Sequence, residues 1–95
     1  MIIERAQIDV RPGQEEAFEA VLAEARAVVS AARGFRGVTI ARGIESPSRY
    51  LLLIEWDTIE DHTEGFRGSD AFTRWRELIG PYFAAAPDVE HYTPV

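Results

Sequence analysis

Arg49–Trp75, RYLLLIEWDTIEDHTEGFRGSDAFTRW, is the stretch that decides how this chain of 95 residues folds. It opens as a strand with Tyr50, Leu52, Ile54 and Trp56 on one face and Leu51 and Leu53 on the other. A strand that is apolar on both faces calls for cover on both. Asp57-Thr58 ends it. Thr58 is a good N-cap, with Asp61 at the capping-box position, and a short helix carrying Ile59, His62 and Phe66 comes next. Gly65 and Gly68 weaken the end of that helix. Ser69 then caps a second helical piece, in which Phe72, Trp75 and Ile79 form a stripe until Gly80-Pro81 stops it.

The segments on either side complete the pattern. Ile2 to Val10 alternates, with Ile2, Ala6, Ile8 and Val10 on one face, broken only by Glu4. Arg11-Pro12-Gly13 ends this strand. Gln14 to Arg33 reads as a helix, because Phe18, Val21, Leu22, Ala25, Val28, Val29 and Ala32 recur at steps of three and four. Gly34 stands where a left-handed C-cap belongs. Phe35 to Ile44 reads as a second strand, with Val38, Ile40 and Ile44 on one face and Phe35, Thr39 and Ala41 on the other. The loop Glu45–Ser48 is short enough to force the next strand antiparallel. Pro87 precedes a last strand, Asp88 to Thr93, with Val89, His91 and Thr93 on one face. The order β-α-β-β-α-β gives an α+β, ferredoxin-like fold with a four-stranded antiparallel sheet, expected as a single domain over 1–95. Two helices on one side of the sheet leave Leu51 and Leu53 uncovered, so a homodimer is expected.

Composition narrows the function. A hydrophobic fraction of 46% and a charged fraction of 27% belong to an ordinary globular domain. The net charge of -6 argues against nucleic acid as a partner. There is no Cys, which rules out disulfides, thiolate metal sites and a cysteine nucleophile. Glu4 and Arg5 interrupt the N-terminus, so no signal peptide is visible. The longest apolar run, Tyr50 to Ile54, is too short to cross a bilayer. A cytoplasmic protein without membrane contact is expected. No HExxH, no ligand-spaced histidine–carboxylate cluster and no Gly-rich phosphate loop is present, so neither a metal nor a nucleotide cofactor is expected.

Two histidines carry what titratable chemistry the chain offers near neutral pH. His62 lies on the face that carries Phe66. It reads either as a general base in a pocket or as a half-exposed histidine beside Asp61 and Glu64. His91 reads as a sheet or interface residue. Trp56, Phe66, Phe72, Trp75 and Tyr82 are candidate walls for an aromatic substrate, or plain core. Arg67 and Arg76 stand beside Phe66 and Trp75, where either could bind an anionic oxygen or face solvent.

Taken together, the strand ending Glu55-Trp56, the capped helix, Ser69-Asp70-Ala71-Phe72, the closing Pro87-x-Val89-x-His91-Tyr92 and the early Pro12-Gly13 resemble the antibiotic biosynthesis monooxygenase family. That resemblance implies a dimeric α/β barrel with a pocket between sheet and helices in each protomer. It also implies oxidation of a small phenolic, polyketide-like substrate by O₂ with neither metal nor flavin, after deprotonation by a base. Many relatives carry a histidine where this chain has Phe66; His62, one turn earlier, is the candidate replacement. The haem-degrading branch requires a strand asparagine, and this chain has no Asn. A non-catalytic ligand-binding or accessory dimer, and an isomerase or cyclase, are the alternatives on the same fold.

Overall fold

A computed structural model describes all 95 residues. The elements are β1 (Ile2–Asp9), α1 (Glu15–Ser30), β2 (Phe35–Arg42), β3 (Arg49–Trp56), a π-helical turn (Asp61–Phe66), α2 (Asp70–Ile79), a 3₁₀ turn (Gly80–Tyr82) and β4 (Asp88–Tyr92). The sheet order is β2-β3-β1-β4, and each neighbouring pair is antiparallel. This is the ferredoxin-like α+β arrangement that the alternating patterns predict.

The core lies between one sheet face and the helices. Ala6 and Ile8 of β1 and Tyr50, Leu52, Ile54 and Trp56 of β3 meet Phe18, Ala25 and Val29 of α1 and Trp75 and Ile79 of α2. The opposite face is less apolar than β3 alone suggests. Leu51 and Leu53 are only half-buried, and their β1 partners are Gln7 and Arg5. Arg5 in turn bridges to Asp88 and Glu90 on β4.

Local chemistry explains most boundaries. The α1 helix stops at Ser30 rather than Arg33, because Ala32 N–H turns to the Val29 carbonyl, an i→i−3 bond that tightens the exit. Gly34 has φ +82, and a Cβ there would also collide with the Asp61 side chain. Glycine is thus needed twice over where α1 meets the π turn. A bulge separates the first residues of β2: Phe35 pairs with Trp56 and Gly37 with Glu55. Strict alternation therefore misplaces Phe35. The extra residue, Arg36, turns Phe35 to the helix side, edge-on to Trp56 at 6.1 Å. The strand ends at Arg42, because Gly43 N–H bonds the Arg49 carbonyl and closes the loop. Ile44 lies in that loop at 90% exposure instead of continuing the strand.

Thr58 caps as expected, its Oγ1 accepting from Asp61 N–H at 3.2 Å. The turn beyond it is not an ordinary helix. Arg67 N–H reaches the His62 carbonyl, an i→i−5 bond, and the backbone widens there. Single π turns of this kind are frequent at functional sites. Here the turn aims both His62 and Phe66 at the sheet. Ser69 restarts the chain as an α-helix: its Oγ accepts from Phe72 N–H and donates to the Phe66 carbonyl.

Candidate active site

The sheet register assembles the site. Glu4 on β1 pairs with His91 on β4 and with Ile54 on β3, and Trp56 lies two residues farther along β3. Glu4 thus sits between His91 and Trp56 on the helix-facing side. The π turn lays His62 over all three. Trp56 Nε1–H donates to Glu4 Oε1 at 3.0 Å, and His62 Nε2 lies 3.2 Å from the same oxygen. His62 Nδ1 lies 2.7 Å from His91 Nε2. The imidazole of His62 stacks on the Trp56 indole, ring centres 5.5 Å apart. Glu4 is 6% exposed and His62 3%.

The Glu4–His62 contact has the spacing of an ion pair, but both partners are biased towards their neutral forms. Burial is the main cause on each side. It raises the Glu4 carboxyl, against the opposing effects of the Trp56 hydrogen bond and the Arg67 charge. It pushes His62 down to about 4, helped by the charges of Arg67 and His91. His91 is lowered as well, by burial and by Arg67. His62 Nδ1 and His91 Nε2 share one hydrogen bond, whose donor is set by the two tautomers. His62 Nε2 and Glu4 Oε1 are in close polar contact, and Glu4 Oε1 accepts from Trp56. Glu4 Oε2 takes no part in these contacts.

Beside the cluster lies a cavity of about 110 Å³. Glu4, Ala6, Ile8, Leu52 and Ile54 form its sheet side. His62, Phe66, Phe72, Trp75 and Ile79 form the helix side, and Arg67 and Arg76 are exposed at its mouth. Of the residues the sequence singles out, His62, Phe66, Phe72, Trp75 and Arg76 come together around this space. Trp56 and Tyr82 do not line it. Trp56 is fully buried behind His62 and Glu4. Tyr82 is carried away by the 3₁₀ turn and packs against Phe18 at 6.1 Å, leaving the next residue, Phe83, to line the cavity.

Glu4 and His91 are the functional candidates that the sequence reading passes over. Glu4 looks like an interruption of an apolar face, when that interruption is the signal: a carboxylate on a core-facing strand position needs a partner or a purpose. His62 is not the half-exposed helix histidine of the alternative reading, because the π turn buries it. No three His, Cys, Asp or Glu side chains are placed to hold a metal ion. Glu4, His62 and His91 follow one another in a row through polar contacts instead of converging on a point.

Residues 1–78 match the profile of the antibiotic biosynthesis monooxygenase family. A solved structure from Bordetella bronchiseptica, named for the same family, is 46% identical, covers 99% of this chain and 96% of its own, and superposes with a TM-score of 0.96. YczJ of Bacillus subtilis (strain 168), of uncharacterised function, is 37% identical over 100% of both chains. SnoaB of Streptomyces nogalater, a cofactor-independent oxygenase, is only 16% identical, yet it shares the fold over 98% of this chain and 91% of its own, with a TM-score of 0.82. The family match over most of the sequence and the full-length relatives agree with the fold: the chain belongs to the antibiotic biosynthesis monooxygenase family.

Proposed function

We propose that the protein is a cofactor-independent monooxygenase that oxidises a small phenol or hydroquinone with O₂, with Glu4 as the group that takes the substrate proton. The observation that carries this reading is the Glu4–His62 pair opening onto an apolar cavity. A carboxyl raised by burial is a better match to a phenolic proton than an ordinary one. His62 is the weaker base, with both ring nitrogens engaged and its proton affinity pushed down to about 4. Its role is to hold Glu4 and to share the proton once taken.

The chemistry then runs without a further redox partner. Glu4 removes the hydroxyl proton, and the phenolate attacks O₂ through a ring carbon ortho or para to its oxygen. The new C–O bond gives a peroxide, which takes the proton back. Loss of the ring proton from the same carbon breaks the O–O bond and releases water. One oxygen atom stays on the ring as a quinone carbonyl; the other leaves as water. Apolar walls favour the step by keeping bulk water from the anion. A cavity of about 110 Å³ suits one aromatic ring, since an engineered cavity of about 150 Å³ binds benzene. Further rings of a polyketide-like substrate would extend past Arg67 and Arg76 into solvent.

Oxygen uptake with a panel of monocyclic phenols and hydroquinones tests the reading, with one O₂ consumed per quinone formed. The same proton-transfer pair would serve an isomerase. Product formation that is unchanged under argon favours that second reading and counts against the first. The homodimer belongs to the same proposal, with the half-buried Leu51 and Leu53 at the centre of the interface. Stable interfaces bury roughly 1,200–2,000 Å² in total. A monomer mass by light scattering at micromolar concentration would refute the dimer.

A further inference from the structure

We infer that the cavity selects an aromatic hydroxy acid: a single ring whose hydroxyl points to Glu4 and whose carboxylate is held by Arg67 and Arg76 at the mouth. The inference rests on the cavity being the substrate site, and it adds the substrate's charge. The cavity pairs apolar walls with two kinds of polar lining residue. Glu4 is buried, with Oε2 outside the contacts to Trp56 and His62, while Arg67 and Arg76 are exposed. A molecule complementary to both carries a proton donor for the carboxyl and an anion for the guanidinium groups.

The state of the two arginines supports this. Arg5, Arg36, Arg42, Arg49 and Arg74 are each paired with a carboxylate of the chain, and Arg11 donates to the Phe83 carbonyl. Arg67 and Arg76 have no such partner, although the chain holds 16 acidic residues against 10 basic ones. Arg26 and Arg33 are unpaired too, but they belong to α1 and its exit and do not line this cavity. Arg76 lies over the Phe72 ring at 5.9 Å, a contact that steadies its guanidinium at the mouth. Arg67 is near enough for its charge to be felt by Glu4, His62 and His91. A guanidinium offers paired N–H donors whose geometry matches a carboxylate.

The test compares 3-hydroxybenzoate with its methyl ester, which has the same ring and hydroxyl but no charge. Binding is read by Trp fluorescence or calorimetry, independently of turnover. The acid should bind about tenfold or more tightly than the ester, the scale of a charge-assisted hydrogen bond. That preference should shrink with added salt and vanish in the Arg67→Gln/Arg76→Gln double variant. Both arginines are exposed and free of ion pairs within the chain, so the variant should fold. Equal affinity for acid and ester overturns the inference, as does a preference that survives in the double variant. Oxygen uptake on the same pair separates the two levels. An acid that binds preferentially without consuming O₂ sinks the monooxygenase reading and leaves this one standing. A neutral phenol that turns over with no preference for the acid does the reverse.

Discussion

β3 ends in two aromatic side chains on the same face, and each donates a hydrogen bond to a glutamate. At one end Tyr50 Oη–H bonds Glu19 of α1 at 2.5 Å; at the other Trp56 Nε1–H bonds Glu4 of β1 at 3.0 Å. The two pairs are alike in chemistry and opposite in setting. Glu19 is half-exposed and also meets Arg42, so its charge is compensated by a cation and by water. Glu4 is 6% exposed, its other polar contact is a histidine that itself resists protonation, and the Arg67 cation reaches it only through its charge. One pair fastens a helix to the sheet. The other holds a buried carboxyl that lines a cavity. What differs is solvent and counter-charge, and that difference makes one a fastening and the other a candidate for chemistry.

The sharpest way to break the contrast is Glu4→Gln. Gln Oε1 can still accept from Trp56 Nε1–H at the same place, so the fold should persist while the proton acceptor is gone. On a confirmed substrate kcat should fall by about 10²–10⁴, the usual worth of general-base catalysis. Glu19→Gln in the same assay should leave kcat unchanged. Equal losses from both, or none from Glu4→Gln, would erase the distinction.

His62→Ala should cost stability as well as activity. It removes the ring stacked on Trp56 and leaves Glu4 without one of its partners. The expected loss is about 2–4 kcal/mol, from a cavity plus a weakened buried polar contact. His62→Gln, which keeps a hydrogen-bonding group, should lose less. Urea unfolding of both variants checks the order; a wild-type midpoint for His62→Ala would mean that the stacked imidazole holds nothing in place.

The fold was legible because it rests on periodicities: alternation in β1 and β3, a stripe in α1, and punctuation at Gly34, Ser69 and Gly80-Pro81. The site was legible only in part. His62, Phe66, Phe72, Trp75 and Arg76 share two adjacent turns, and helical spacing is enough to group them. Glu4 and His91 lie at opposite ends of the chain and meet only through the β1–β4 register, which no local pattern encodes. Tyr82 and Trp56 show the converse, since proximity in sequence does not make a residue line a cavity when a 3₁₀ turn or a neighbouring ring intervenes. The bulge that turns Phe35 inward and the π turn that buries His62 each break the local period, so spacing in the sequence does not place those side chains.

Acid sensitivity should also separate the two ends. His62 takes up its proton at about 4 in the folded chain and near 6.5 when unfolded. The unfolded chain therefore binds more protons between these values. The His62 contribution is fully present above pH 6.5 and is lost as pH falls towards 4. Glu4 works in the opposite sense. Its raised folded value makes its contribution complete below the ordinary carboxylate range and lost as pH rises through that raised value. The net loss on acidification should thus be less than His62 alone implies. Unfolding midpoints of the wild type should fall between pH 6.5 and 4, and those of His62→Gln should fall by less. Parallel curves for the two proteins would show that His62 is not held neutral by the fold.

Tyr50→Phe should have the smallest effect, and it tests the comparison from its quiet side. The substitution keeps the ring against Phe18, 4.8 Å away, and removes only the hydroxyl. Burial and the neighbouring Glu19 push that hydroxyl up to about 12, so it stays protonated and serves as a donor. The Glu19 carboxylate it leaves behind is half-exposed and keeps Arg42, so water replaces the lost bond at little cost. A loss of about 0.5–1.5 kcal/mol is expected, the net worth of one hydrogen bond, with kcat and KM unchanged. Denaturant unfolding and steady-state kinetics on the same preparation measure both. A Tyr50→Phe protein with wild-type stability but impaired turnover would place chemistry at the wrong end of β3, and the role assigned to Glu4 would have to move with it.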